Sequence, residues 1–208
     1  MAFAQAFLAD VSRVAERIDT AVIEQMAARL AAIRERSGRV FFVGVGGGAG
    51  HAGHAVCDFR KLADIEAYSV TDNVSELTAR INDDGWDDSF AAWLRGSHFC
   101  ANDALFVFSV GGGSEEPRVS GNIVNAVKLA KSVGAQVLGV VGRSGGYTAA
   151  AGDCVVVIPE VSPSLVTPLT ESFQAVVWHL LVSHPSLARA RAKWESLTPL
   201  GGSVSERA

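Results

Sequence analysis

Apolar residues along this chain follow two kinds of pattern. Over 1–36 they recur at helical spacing, with Phe3, Phe7, Val11 and Val14 marking one stripe and Val22, Ile23, Met26, Leu30 and Ile33 a second. The spacing predicts two helices joined near Asp19-Thr20 and ending before Ser37-Gly38. Beyond them the apolar positions condense into short, almost unbroken runs at 39–45, 65–70, 104–110, 136–141 and 154–158. Strands buried on both faces read this way. Helical stretches at 50–62, 74–80, 86–96, 118–133, 145–151 and 167–183 alternate with them, which predicts parallel β-α-β units. An amphipathic segment at 186–197 follows, and then a Gly-Gly-Ser tail, 198–208, expected to be loose. The predicted architecture is a single α/β domain: a three-layer αβα sandwich over 37–197 with a five-stranded parallel sheet, preceded by the helices of 1–36.

Composition narrows the function classes. The 208 residues are 49% apolar and 19% charged, with net charge −4 and no basic run, so no nucleic-acid partner is expected. No membrane association is expected either. The charge-free stretch 40–57 holds six Gly and two His, a poor spanning helix, and the N-terminus shows no secretory pattern. Cys57, Cys100 and Cys154 are widely spaced and read as reduced, buried small residues of a cytoplasmic protein.

The 21 Gly are clustered, and their places suggest a ligand. Open parallel sheets bind ligands beyond the carboxyl ends of their strands. Gly44-Val45-Gly46-Gly47-Gly48-Ala49-Gly50 follows the first predicted strand and opens a helix; Gly111-Gly112-Gly113-Ser114 follows the third. Bare backbone N–H groups beside a helix N-terminus suit an anion, with phosphate the natural choice. The first loop also satisfies G-x-G-x-x-A, but the acid beyond the second strand, Asp72, lies 28 residues from Gly44, against about 20 in dinucleotide-binding folds. No Lys-Ser or Lys-Thr follows, which excludes a nucleoside-triphosphate loop.

Chemistry-bearing side chains fall on two predicted helices. His51, His54 and Asp58 follow the first Gly loop, with 54 and 58 one helical turn apart. Glu171 and His179 lie on the last long helix, in an apolar setting where each needs solvent or a partner. Imidazole and carboxylate donors together suit a zinc-type ion. Eight helical residues rise about 12 Å. Either that helix begins after Glu171, or the groups meet across a subunit boundary.

Taken together, these residues resemble the sugar isomerase (SIS) domains, specifically the phosphoheptose isomerase branch, over nearly the whole chain. The resemblance implies a flavodoxin-like strand order and a homotetramer with sites between subunits. In that family the first loop reads G-N-G-G-S, where this chain has Gly44-Val45-Gly46-Gly47-Gly48, and a His and a Glu follow at the spacing of His54 and Asp58. The family's N-D-x-G segment matches Asn82-Asp83-Asp84-Gly85, implying that Asn82 and Asp83 reach a neighbouring subunit's substrate. Its Ser-Thr-Ser-Gly-Asn-Ser phosphate loop aligns with Ser109-Val110-Gly111-Gly112-Gly113-Ser114, and Ser120 is an alternative for the last Ser. Its Gln and His on the last long helix fall on Glu171 and His179. The implied metal set, with zinc the expected ion, is His54, Asp58, Glu171 and His179.

Departures from the family pattern are chemical. Asp58 is a methylene shorter than Glu, Glu171 is charged where the family has Gln, and the phosphate loop loses hydroxyls. About six residues are inserted around 114–121; among them Glu115 and Glu116 would repel phosphate and Arg118 would attract it. The resulting expectation is a metal-assisted aldose–ketose isomerase acting through an enediol on an anionic sugar, sedoheptulose 7-phosphate or a similar heptose phosphate. Asp58 is the expected base with Glu171 as rival, His179 the acid, and Ser109, Gly111–Gly113, Ser114, Gly46 and Gly47 the anion site. The alternative is a non-catalytic SIS protein that binds a sugar phosphate or a protein partner.

Overall fold

The computed structural model describes residues 2–197; the expected loose tail at 198–208 lies outside the described residues. Helices α1 (Phe3–Arg17) and α2 (Thr20–Glu35) come first, separated where Asp19 accepts hydrogen bonds from the backbone N–H groups of Ala21 and Val22. A carboxylate at this position satisfies N–H groups that a helix cannot bond internally. The alternating part comprises β1 (Val40–Gly44), α3 (Gly47–Leu62), β2 (Ala67–Ser69), α4 (Val74–Asp84), α5 (Ser89–Gly96), β3 (Ala104–Ser109), α6 (Gly121–Val133), β4 (Gln136–Val141), α7 (Gly146–Ala151), β5 (Cys154–Val157), α8 (Val166–Ser183) and α9 (Lys193–Leu197). All pairings are parallel, in the order β2-β1-β3-β4-β5.

Strand periodicity divides the core in two. Val40, Phe42, Phe106, Phe108, Leu138 and Val140 face one side, packed with α2, α3 and α8. Phe41, Val43, Leu105, Val107 and Val137 face the other, packed with α5 and α6. Successive side chains on a strand alternate faces, so a strand covered on both sides must be apolar throughout. Helix α8 is long and apolar enough to cross a membrane, yet its Phe173, Val177, Trp178, Leu181 and Val182 are buried within the protein, as in a core helix.

Several predicted boundaries shift. Helix α6 starts at Gly121, not 118, because Ser114 and Val119 pair as an antiparallel bridge that folds the insertion back on itself. Only Lys193–Leu197 of the predicted segment 186–197 is helical. Arg34 holds the carbonyls of Ser186 and Leu187, and the Leu62 carbonyl accepts from the Arg189 and Ala190 N–H groups, so backbone bonds that a helix would need are committed elsewhere. Helix α4 continues to Asp84 and thus carries Asn82 and Asp83. The expectation of three buried cysteines holds for Cys154 alone; Cys57 and Cys100 are exposed. Burial pushes the Cys154 thiol up. On α1, Val14 is buried while Phe3 and Leu8 are exposed.

An ion pair between buried Asp103 and half-buried Arg39 fastens β1 to β3 at their starts. Asp103 accepts from Arg39 Nε at 3.0 Å and Nη2 at 2.7 Å, and from the Arg39 and Cys100 backbone N–H groups at 3.1 and 3.0 Å. Burial alone would raise this carboxyl, but the Arg39 side-chain bond and the two backbone donors outweigh it and hold it below the ordinary value. A depressed carboxyl contributes stability above its unfolded value, about pH 4, that is lost as pH falls through the folded value. Replacing the carboxylate leaves the partly exposed Arg39 guanidinium and two backbone N–H groups with a weaker acceptor, a cost of about 1–3 kcal/mol. Asp103→Asn should therefore lower the urea midpoint at pH 7 and flatten the decline below about pH 4, as measured by denaturation at a series of pH values.

Candidate active site

The carboxyl ends of β1, β3 and β4 are built from backbones in close contact. A Cβ on Gly48 would lie 2.5 Å from the Phe108 carbonyl oxygen, so α3 can start beside β3 only with glycine there. The loops after β3 and β4 interlock further. Gly146 has φ +53°, and its Cβ would meet the Gly111 carbonyl at 2.2 Å. The Gly113 and Gly112 carbonyls accept from the Tyr147 and Thr148 N–H groups at 2.8 and 2.9 Å, and Thr148 Oγ1 also donates to Gly112 at 2.7 Å. Gly112 and Gly113 thus cap α7 with their carbonyls. Ser109 Oγ accepts from Gly112 N–H at 3.0 Å, which fixes the turn and leaves the hydroxyl hydrogen to donate.

These loops enclose a cavity of about 840 Å³. Ser109, Gly111, Gly113, Ser114 and Ser120 line it, as do Glu115, Glu116, Glu171 and Gln174. Gly46 and Gly47 do not line it. A Cβ on Gly47 would lie 2.6 Å from Glu171 Oε1, so the protein's own carboxylate rests against the first residue of α3, where an external anion was expected. Arg118 is paired with Asp87 and does not line the cavity. Arg143 does line it, the one cationic side chain among the described lining residues, and has no ion-pair partner among the described residues. Its φ of +52° is rare for a residue with a side chain and accompanies function more often than chance. Arg143, Tyr147 and Gln174 line the cavity without having been expected there from the sequence. The signal was a third glycine-bearing strand end, Gly142-Arg143-Ser144-Gly145-Gly146.

On the outer side of α3 and α8 a second group forms. The ligand atoms of His54, Asp58 and His179 all lie within 4.8 Å of one another. Asp58 Oδ2 is 3.5 Å from both His54 Nε2 and His179 Nε2. The imidazole side chains are 57% and 52% exposed and the carboxylate 14%, an arrangement open to solvent on one side. Helix α3 supplies two members one turn apart, and α8 the third. Two imidazoles and one carboxylate fit a zinc-type ion with a free coordination position. Glu171 does not join them: α8 begins at Val166, so its residues 171 and 179 stand about 12 Å apart along one helix. Helix α8 thus begins before Glu171, not after it. Asn82 and Asp83 bond to each other on exposed α4 and lie away from the cavity in this chain. Between trio and cavity stands His51, whose Nδ1 is 2.9 Å from Gln174 Oε1 and whose ring lies 5.1 Å from that of Trp178.

Known proteins share this arrangement of chain. Phosphoheptose isomerase of Rhodospirillum rubrum is 30% identical over 164 residues, which cover 76% of this chain and 81% of that protein. The chain belongs to the phosphoheptose isomerase family. The phosphoheptose isomerase GmhA of Neisseria gonorrhoeae superposes with a TM-score of 0.75 at 26% identity, over 86% of this chain and 96% of that one, so the SIS fold is shared over that span. The lincomycin biosynthesis protein LmbN of Streptomyces lincolnensis is 33% identical over 158 residues, 71% of this chain and 56% of that protein. The chain thus spans about half the length of LmbN. No family model matches the chain.

In this phosphoheptose isomerase relative, the interlock leaves no room for a methyl group at residue 146. Gly146→Ala should destabilise by about 2 kcal/mol or more through clash and strain at positive φ. Thermal unfolding with and without sugar phosphate checks this, and the ligand-induced rise in Tm should shrink as well.

Proposed function

We propose that the chain is an aldose–ketose isomerase of a phosphorylated sugar, with sedoheptulose 7-phosphate and its aldose isomer as the substrate pair. The observation that carries the reading is the pairing of α3 and α8, which together form an acid–base trio, His54 and Asp58 from α3 and His179 from α8, while Glu171 and Gln174 of α8 wall the cavity. An extended sugar phosphate spanning the two would place its phosphate in the cavity and its carbonyl end at His54, Asp58 and His179.

Each residue then has a task. Arg143 neutralises phosphate charge, replacing the loop hydroxyls, while Ser109, Ser114 and Ser120 hydroxyls and backbone N–H groups of the β3 loop hydrogen-bond it. From the ketose, the Asp58 carboxylate accepts the proton at C1; the enediol forms, and the same proton returns at C2. His179 moves the hydroxyl proton between O2 and O1. In this reading Glu171, seated on Gly47 and about 12 Å along α8 from His179, belongs to the cavity wall and Asp58 is the base. A zinc ion held by His54, Asp58 and His179 would polarise the carbonyl and offset enediolate charge. The open face of the trio and the exposed Phe3 and Leu8 of α1 suit closure in a homotetramer, with Asn82 and Asp83 of a neighbouring subunit completing the sugar site. A cytoplasmic location goes with such a substrate.

Three outcomes are expected. Wild type should interconvert sedoheptulose 7-phosphate and its aldose by NMR, and Asp58→Asn should lower kcat by at least about 100-fold with the fold intact by circular dichroism. Failure of wild type to isomerise any C4–C7 sugar phosphate at saturating Zn²⁺ would favour the non-catalytic alternative. Arg143→Ala should raise KM for the phosphorylated sugar by roughly 10-fold or more, the worth of a charge-assisted hydrogen bond, with a smaller change in kcat. Purified wild type should retain stoichiometric zinc by elemental analysis, and His54→Ala should lose it.

A further inference from the structure

Trp178 is 3% exposed and lies on α8 immediately before His179. An indole N–H can only donate, and a buried one requires an acceptor. The acceptor here is Asp58 Oδ2, 3.2 Å from Trp178 Nε1. The same oxygen faces both His54 Nε2 and His179 Nε2 at 3.5 Å. Three nitrogen groups from two helices therefore converge on one carboxylate oxygen, while Oδ1 has no hydrogen-bond partner among the described residues. The indole ring packs on both imidazoles of the trio, with centroid distances of 5.3 Å to His54 and 4.8 Å to His179, and also meets His51 at 5.1 Å and Phe108 at 5.8 Å.

We infer that Trp178 is a positioning residue for Asp58. Its N–H fixes which carboxylate oxygen turns toward the imidazoles, and its ring backs those of His54 and His179, the latter held as well by the 2.8 Å contact of its Nδ1 with the Ala175 carbonyl. A free Asp on a helix surface would exchange among rotamers and present either oxygen. Here the short side chain keeps the carboxylate low between α3 and α8, within reach of the indole, and the hydrogen bond selects one orientation. Oδ1 is left to accept a proton. This deepens the isomerase reading for its kinetic consequence and rests on it there; the metal-binding consequence stands apart from any substrate. Partners that orient a metal-binding side chain change metal affinity or activity by about 10–100-fold when removed.

The test compares wild type with Trp178→Phe, and with a protein carrying β-(benzothien-3-yl)alanine at position 178, which keeps the bicyclic shape but lacks the N–H. Zn²⁺ affinity is measured by competition with a chromophoric chelator, the Co²⁺ absorption spectrum is recorded, and kcat and KM are determined separately. Both variants should bind Zn²⁺ about 10–100-fold more weakly. Their Co²⁺ bands should shift, and kcat should fall while KM changes little. A structural role alone would lower Tm without moving the Co²⁺ spectrum. If the Phe variant fails to fold, the isosteric variant decides. Unchanged Zn²⁺ affinity, spectrum and kcat in the isosteric protein would overturn the inference, as would a wild type that binds no Zn²⁺. Weakened Zn²⁺ binding in a protein whose wild type isomerises no sugar would sustain the positioning role and remove the isomerase reading.

Discussion

The whole site depends on backbone meeting backbone where β1, β3 and β4 end. A parallel sheet covered on both faces leaves its strand ends as the one place where polar backbone and ligand can meet, and there three loops must share a narrow space. Gly48 passes the Phe108 carbonyl, and Gly146 passes those of Gly111 and Gly113, at separations that no Cβ permits. The hydrogen bonds from Tyr147 and Thr148 to the Gly113 and Gly112 carbonyls then lock the β3 and β4 loops into one rigid wall. The cavity is the space this wall leaves between itself and α8.

Electrostatics in that space differ from what a glycine-rich anion loop suggests. One helix N-terminus, that of α3, meets the carboxylate of Glu171, and that of α7 is capped by loop carbonyls. With Glu115, Glu116 and Glu171 lining the cavity, Arg143 carries the only positive charge among the described lining side chains. The positive charge of the described lining thus comes from the loop after β4. At the far end of α8 the chemistry is of another kind: two imidazoles and an aspartate, ordered by an indole and half open to water. Gln174 and His51 join the two ends through a 2.9 Å contact.

Much of the fold was legible in the sequence because burial on two faces and helical stripes leave strong periodic signals. The runs at 39–45 and 104–110 contain β1 and β3, and the run at 136–141 coincides with β4. Where nonlocal bonds override local pattern, the reading failed. The 186–197 segment has helical spacing, but Arg34 and the Leu62 carbonyl hold its first part in another conformation. Arg118, whose charge would attract phosphate, is instead paired with Asp87, distant in sequence. Arg143 had a local mark, the third glycine-bearing strand end at 142–146, but only the packing of that loop against the β3 loop turns it into a cavity wall.

The sequence by itself determined the strand and helix pattern, the two glycine loops and the His54–Asp58 spacing, since these follow from chain periodicity and from contacts one helical turn apart. The tertiary structure alone decided which groups meet. It seated Glu171 on Gly47, separating it from His179, and brought His179 and Trp178 onto Asp58 from 120 residues away. The physical reason is that a helix fixes the spacing of its own side chains, whereas packing against the sheet decides which face of a second helix comes within hydrogen-bonding distance.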